Sequence, residues 1–398
     1  MPTTTVTTVM WKSSMSSSDR TEASVRAVLG DAGTIVVKVG SALLNDPGAG
    51  LTRSLISTLS ADISTLLAAG KKVLLVSSGA VAEGMSRLGW RTRPTSVHQL
   101  QAAAAVGQMG LVQAYERAFS EHGRHTAVVL LTHDDLADRQ RYLNARTTLR
   151  TLLDLGVVPI INENDSVATD EIRFGDNDTL AALVTNLLQA ELLVLLTDIG
   201  GLYEEDPRRR PDAPLVAFAR ATDPRLDSMV AEAGALGRGG MITKLRAARI
   251  AARSGANTVI AHGSAAGRLQ SVLAGEAVGS LLCADVSPFD ARKRWIAGQL
   301  KSKGQLTIDP GAVTALVQRR VSLLPVGVAG VEGEFSRGEL VRCVDGAGKL
   351  IAQGLTNYSS AETRKMLGAA SRDIVTRLGY SLEPEIIHRD NLVVLVDA

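Results

Sequence analysis

Residues 34–40 read TIVVKVG. Ile35, Val36 and Val37 follow one another without a polar interruption, so a strand here offers apolar side chains to both faces and needs cover on each. Further runs share the texture: VLLVSSG (73–79), TAVVLLT (126–132), VVPIINE (157–163), LLVLLTD (192–198) and TVIAHG (258–263). Between them lie Ala-, Leu- and Arg-rich stretches at 97–119, 140–155, 177–190 and 241–254 that suit helices. Strand and helix alternating this way predict an α/β fold, a three-layer α/β/α sandwich around a mainly parallel sheet. Ligands in such folds bind outside the carboxyl ends of the strands, and several of these runs end in a polar or glycine cluster.

Beyond residue 285 the pattern changes to short segments separated by glycine-containing turns, with Pro310 and Pro325 as further punctuation. ELVRCV and KLIAQG flank DGAG and read as a β-hairpin. A chain of 398 residues exceeds one ordinary core, so two domains are expected. The expected division is a disordered tail (1–30), an α/β domain (31–285), a linker (286–300), a small β-rich domain (301–382) and a closing segment (383–398). The first two dozen residues, rich in Ser and Thr, lack the apolar stretch of a secretory signal. They read as that tail, or as an early start with Met15 as the later candidate.

Charge and cysteine content narrow the function classes. Lys and Arg number 43 against 41 acids, so no global field marks a dedicated nucleic-acid or membrane-surface binder. Cys283 and Cys343 stand apart and in no metal-ligand spacing, which speaks against a disulfide framework or zinc and for a cytoplasmic setting. No apolar run approaches the roughly 18 to 20 residues that span a bilayer.

Neither GxxxxGK[ST] nor a strand-linked GxGxxG occurs, so phosphate binding needs another solution. GRGGMITK (237–244) leads directly into a helical pattern: glycines let backbone N–H groups converge on an anion, and Lys244 adds a full charge. Taken alone it reads more simply as a glycine loop with a surface lysine. Lys38 ends an Ile/Val strand and is costly to bury without an anion, unless it snorkels to solvent. Gly40, just beyond it, allows a phosphate close to the backbone. Ser77, Ser78 and Gly79 follow the next strand in the same way, as a ligand loop or a simple turn.

INENDS (161–166) and GDND (175–178) are denser in polar residues than helix capping requires. Asn162, Asn164 and Asp165 follow a strand, while Asp176, Asn177 and Asp178 open a helix. Such clusters suit a zwitterion, a carboxylate holding its ammonium and amides and a hydroxyl orienting its carboxylates. Thr197 and Asp198 close the strand LLVLLTD, where adenine or ribose is met in doubly wound folds, though the loop after them also reads as ordinary surface.

Taken in order, KVGS, SSGA, INENDSVAT, GDNDTLAAL, LLTDIGGLY with a following DPR, and GGM-TK resemble the glutamate 5-kinases of the amino-acid kinase family. The resemblance runs from about residue 34 through nearly the whole chain, and the small terminal domain resembles a PUA domain. It implies ATP-dependent phosphorylation of the side-chain carboxylate of L-glutamate, the first step of proline biosynthesis. It further implies that Lys38 and Lys244 flank the transferred phosphoryl group, that Asp178 orients both, and that Ser78, Asp165 and Asn177 hold glutamate, to which the polar clusters add Asn162 and Asp176. Nucleotide contacts fall on Lys38, Gly40, Thr197, Asp198 and the run Arg238, Gly239, Gly240, Met241, Ile242, Thr243, Lys244. Arg238 stands where Thr or Ser is usual, and Ile242 replaces a commonly small residue.

Implied as well are Mg²⁺ carried by ATP phosphates rather than a protein cage, feedback inhibition by proline, hand-off to a glutamate-5-phosphate reductase, and homo-oligomers, dimeric or tetrameric. Rival readings are a kinase of the same fold acting on N-acetylglutamate, aspartate or carbamate, and an RNA-binding regulator. Residues 292–320 carry seven Lys or Arg against one Asp, but aromatics are only 3% of the chain, so stacking platforms for RNA are scarce.

Overall fold

The computed structural model describes residues 21–46, 50–167, 177–232, 240–286, 291 and 302–396. The chain divides into two compact units, one formed by residues up to His133 with Thr148–Pro288, the other by Asp134–Thr147 with Phe289 onward.

In the first unit the strands are β1 (Thr34–Val39), β2 (Asn45–Asp46), β3 (Gly50–Leu51), β4 (Lys72–Ser77), β5 (Thr126–Leu131), β6 (Val158–Glu163), β7 (Leu192–Thr197), β8 (Phe218–Arg220), β9 (Asn257–His262) and β10 (Ser280–Cys283). β2 and β3 form a small ribbon; the other eight make one sheet in the order β5-β6-β4-β1-β7-β9-β10-β8. All neighbours run parallel except β9 and β10. The continuous apolar runs have the burial they require: Ile35, Val36, Val37 and Val39 are each at most 1% exposed.

Side chains alternate along a strand, and this sorts β1 between two helical layers. Ile35, Val37 and Val39 join a core with Leu55, Ile56, Leu59 and Ile63 of the helix Arg53–Ala68 and Leu111, Tyr115 and Phe119 of the helix Val97–Ser120. Val36 and Lys38 point the other way, toward the helix Asn177–Leu188, which packs on β1, β4, β6 and β7 and beside the helix Met241–Arg253. The expected three-layer sandwich is thus present, and period two alone sends Lys38 to the opposite layer from Val37.

The helices Ala80–Arg87 and Val97–Ser120 meet at backbone distance. A Cβ on Gly84 would stand 1.7 Å from Ala103 O, and one on Gly107 1.8 Å from Ala80 O. Glycine is therefore required at both positions for close approach rather than for a turn.

The second unit holds β11 (Gly304–Ile308), β12 (Val328–Gly333), β13 (Leu340–Val344), β14 (Leu350–Leu355) and β15 (Leu392–Val394), in the order β12-β11-β13-β14-β15. β13 and β14 are the hairpin expected around DGAG. Its turn is tied by Asp345 Oδ1, which accepts from the backbone N–H of Ala347 and Lys349, and Gly348 takes φ +83°. Leu306, Ile308, Val341, Cys343, Ile351, Tyr358 and Met366 belong to its core. Both cysteines are buried and unbridged. Among the described residues no helix is long and apolar enough to cross a membrane.

Candidate active site

From β1 the chain continues to β4 on one side of the sheet, whereas from β7 it continues to the strands on the other. Their carboxyl ends therefore bound a crevice at the topological switch point, the place where open α/β sheets take ligands. The backbone joins across its base, Gly40 N–H donating to Leu196 O at 3.2 Å. Lys38 reaches this place from β1 and Lys244 from the fourth position of its helix. Each is 6% exposed.

Asp178, the second residue of its helix and 2% exposed, lies between the two ammonium groups. Lys38 Nζ is 2.6 Å from Oδ1, and Lys244 Nζ is 3.1 Å from Oδ2. Thr243 Oγ1 donates to Oδ2 at 2.7 Å. Burial works against ionisation of Asp178, but the charges of Lys38 and then Lys244, with hydrogen bonds from Lys38 and Thr243, outweigh it and hold the carboxyl at about 2. Both ammonium groups thus meet the one carboxylate of Asp178 in a water-poor crevice, where charges are tolerated only in company.

Beside it lies an amide cluster. Asn177 Nδ2 is 2.9 Å from Ser78 Oγ, 3.0 Å from Asn162 Oδ1 and 3.3 Å from Ser77 O. Asn162 Oδ1 also accepts from the Glu163 N–H at 2.9 Å, and Asn162 Nδ2 donates to Gln108 Oε1 at 2.9 Å. Ser77, fully buried, meets the Tyr115 hydroxyl at 2.9 Å, and burial pushes that phenol's pKa up. Gly79, at φ +109°, turns the chain from β4 into the next helix, a conformation L side chains rarely adopt.

Lys38, Asp178, Thr243 and Lys244 thus meet at one point, and Ser78, Asn162 and Asn177 at another beside it, since Asn177 and Asp178 are adjacent in sequence. Gly40 adjoins the first: a Cβ there would come 3.7 Å from Lys38 Nζ, so glycine keeps the ground next to the ammonium clear. Thr197 is buried at the end of β7 and donates to Asp198 Oδ1 at 3.1 Å, while Asp198 is exposed at the crevice edge. Asp165 lies in the turn after β6. Gly240 caps the helix Met241–Arg253, and Ile242, in its first turn, is 53% exposed. Asp176, Arg238 and Gly239 lie outside the described residues. Gln108 and Tyr115 carry no local signal in the sequence, since each lies inside the long helix Val97–Ser120.

The sequence pattern of the Amino acid kinase family matches residues 33–262. The chain belongs to the amino acid kinase family. The matched span holds every residue of the two clusters, and a PUA domain pattern matches residues 304–378. Among curated amino acid kinases, the chain is 60% identical over 365 residues to "Glutamate 5-kinase" of Pseudomonas savastanoi pv. phaseolicola, covering 90% of this chain and 98% of that one. It is 58% identical over 371 residues to "Glutamate 5-kinase" of Thioalkalivibrio sulfidiphilus, covering 93% and 99%. A carbamate kinase from Giardia lamblia bound to AMP-PNP superposes at TM-score 0.46 with 20% identity, covering 64% of this chain and 99% of that chain.

Proposed function

We infer that the chain transfers the γ-phosphoryl group of ATP to the side-chain carboxylate of L-glutamate, giving L-glutamate 5-phosphate, the first step of proline biosynthesis. The observation that carries this reading is the convergence of Lys38 and Lys244 on Asp178 beside an amide-lined pocket. Relatives named glutamate 5-kinase, 58–60% identical over at least 90% of the chain, support the substrate.

The attacking carboxylate has an ordinary pKa of about 4.3 and is ionised at neutral pH, so no general base is required. The obstacle is repulsion between that anion and the triphosphate, and catalysis consists of alignment and charge neutralisation. Lys38 and Lys244 receive the migrating phosphoryl oxygens. Asp178 is the positioning residue: it holds both ammonium groups to one point and makes their burial tolerable. Ser78, Asn162, Asp165, Asn177 and Asp176 hold glutamate. Gly40, Thr197, Asp198 and the stretch from Arg238 to Lys244 meet the nucleotide.

Among the described residues no group of three or more His, Cys, Asp or Glu side chains stands ready to cage a metal ion. Mg²⁺ would enter as a companion of the triphosphate and would supply charge neutralisation where the carboxylate approaches. On the same reading proline is the feedback inhibitor, and the water-labile acyl phosphate passes to a glutamate-5-phosphate reductase. The enzyme is a cytoplasmic homo-oligomer with a kinase domain at 31–285 and a PUA-like domain at 301–382.

The test is to incubate the protein with ATP, Mg²⁺, hydroxylamine and each candidate acceptor. Glutamate hydroxamate forming in step with ADP is the expected result. Turnover with N-acetylglutamate, aspartate or carbamate, and none with glutamate, overturns the assignment.

A further inference from the structure

The chain of amides beside the lysines has a direction, and a backbone group sets it. The Glu163 N–H can only donate, so the Asn162 atom that it meets at 2.9 Å is the oxygen, Oδ1. Asn162 Nδ2 must then donate at its other end, which makes the facing Gln108 atom the acceptor Oε1. Asn177 likewise turns Nδ2 toward Asn162 Oδ1. Two atoms remain over: Gln108 Nε2, a donor, and Asn177 Oδ1, an acceptor, both buried and without a hydrogen-bond partner among the described residues. A native structure seldom leaves such atoms unsatisfied unless a ligand completes them.

A donor at one end of a relay and an acceptor at the other match the two charged groups of an amino acid: carboxylate to donor, ammonium to acceptor. Connectivity decides which carboxylate. Asn177 is bonded to Asp178 and so to the ammonium pair, whereas Gln108 stands at the far end, beyond Asn162. The reacting carboxylate belongs near the lysines, which leaves the α-carboxylate for Gln108. The neighbours of Gln108 hold it there: a Cβ on Gly107 would meet Ala80 O at 1.8 Å, and one on Gly110 would meet Glu83 Oε1 at 2.4 Å. The helix cannot slide without opening that contact.

Resting on the glutamate reading above, we propose that Gln108 is a specificity-determining residue whose Nε2 donates to the α-carboxylate of the substrate. Its partner in charge recognition is Asn177 Oδ1, which takes the α-ammonium.

The test compares glutamate with 4-aminobutyrate, which keeps the amine and the distal carboxylate but lacks the α-carboxylate. Hydroxamate formation by the unaltered protein is measured first, so that absence of any glutamate product sinks the functional reading itself and this proposal with it. Gln108→Leu should then raise the glutamate KM about 10-fold or more, with the inhibition constant of 4-aminobutyrate and the ATP KM changed by less than about twofold. Gln108→Glu preserves shape and the acceptor for Asn162 Nδ2 while removing the donor, and should weaken glutamate to a similar or greater degree. If Gln108 merely props Asn162, Gln108→Leu weakens both compounds together and Gln108→Glu spares both. Either of those results, or an unchanged glutamate KM in both variants, overturns the proposal.

Discussion

Lys38 Nζ lies 2.6 Å from Asp178 Oδ1, and the two residues belong to different layers of the sandwich, one to the central strand β1 and the other to the first turn of a covering helix. With Lys244 on the remaining oxygen, a single carboxylate neutralises part of two buried charges. Asp178→Ala takes from both buried ammonium groups the carboxylate they share, and the expected loss of stability is about 3–5 kcal/mol at pH 7. Urea unfolding checks it; a loss below about 1 kcal/mol would mean that water or another anion already serves the lysines.

Acid titration isolates the same carboxylate. Its folded pKa, about 2, lies below the ordinary 3.8, so ionised Asp178 stabilises the fold fully above 3.8 and ceases to do so as pH falls toward 2. The contribution is on the order of 2 kcal/mol. Unfolding midpoints of the unaltered protein and Asp178→Asn should therefore converge as pH is lowered from about 4 to about 2. A constant separation across that window assigns the acid sensitivity to other groups.

Lys244→Ala is a gentler change, because Lys38 and Asp178 remain as a neutral pair and the fold should hold. The Lys244 charge matters most as the phosphoryl group moves, so kcat should fall roughly 10³-fold while glutamate affinity by calorimetry changes little. An unchanged kcat removes Lys244 from the phosphoryl site.

How far these groups are legible in the sequence differs for each, for physical reasons. A lysine at a strand end, a glycine run before a helix and acids beyond capping need each leave a local mark, so Lys38, Lys244 and Asp178 are legible as candidates, but each also has an ordinary surface, loop or capping reading that only the resemblance sets aside. Their convergence on one point is a property of strand order, which no local pattern encodes. β8 and β10 are three and four residues long, too short for a period to show in the sequence. Gln108 is illegible because one amide in an Ala-rich helix looks solvent-facing; its inward direction depends on Asn162 of the neighbouring strand. Gly84 and Gly107 read as helix weaknesses in sequence, yet they mark where two backbones touch.

Asn177 joins the two halves of the site, adjacent to Asp178 yet bonded to Ser78 and Asn162. Asn177→Ala removes those contacts without altering the lysine pair. The glutamate KM should rise about 10-fold or more, with the ATP KM within about twofold. A variant whose ATP KM rises instead would redraw the border between the two pockets.

The helix contact at Gly84 and Gly107 offers a test away from the charged groups. A methyl group on Gly107 would lie 1.8 Å from Ala80 O and 2.3 Å from Gly84 N, and neither backbone atom can rotate aside as a side chain would. The helices must separate, so Gly107→Ala should cost about 2 kcal/mol or more, although alanine is the better helix former by up to about 1 kcal/mol. One of these helices begins two residues after Ser78 and the other carries Gln108, so separation also widens the amide pocket and should raise the glutamate KM. Gly84→Ala forces the same parting, and the double variant should lose much less than the sum of the single losses, because the second methyl enters a gap already opened. Gly346→Ala, with nothing within 4 Å of the added methyl, is the control and should leave stability and KM unaltered. Additive losses at Gly84 and Gly107 in thermal and urea unfolding would show that each glycine acts through its own backbone rather than through the shared contact.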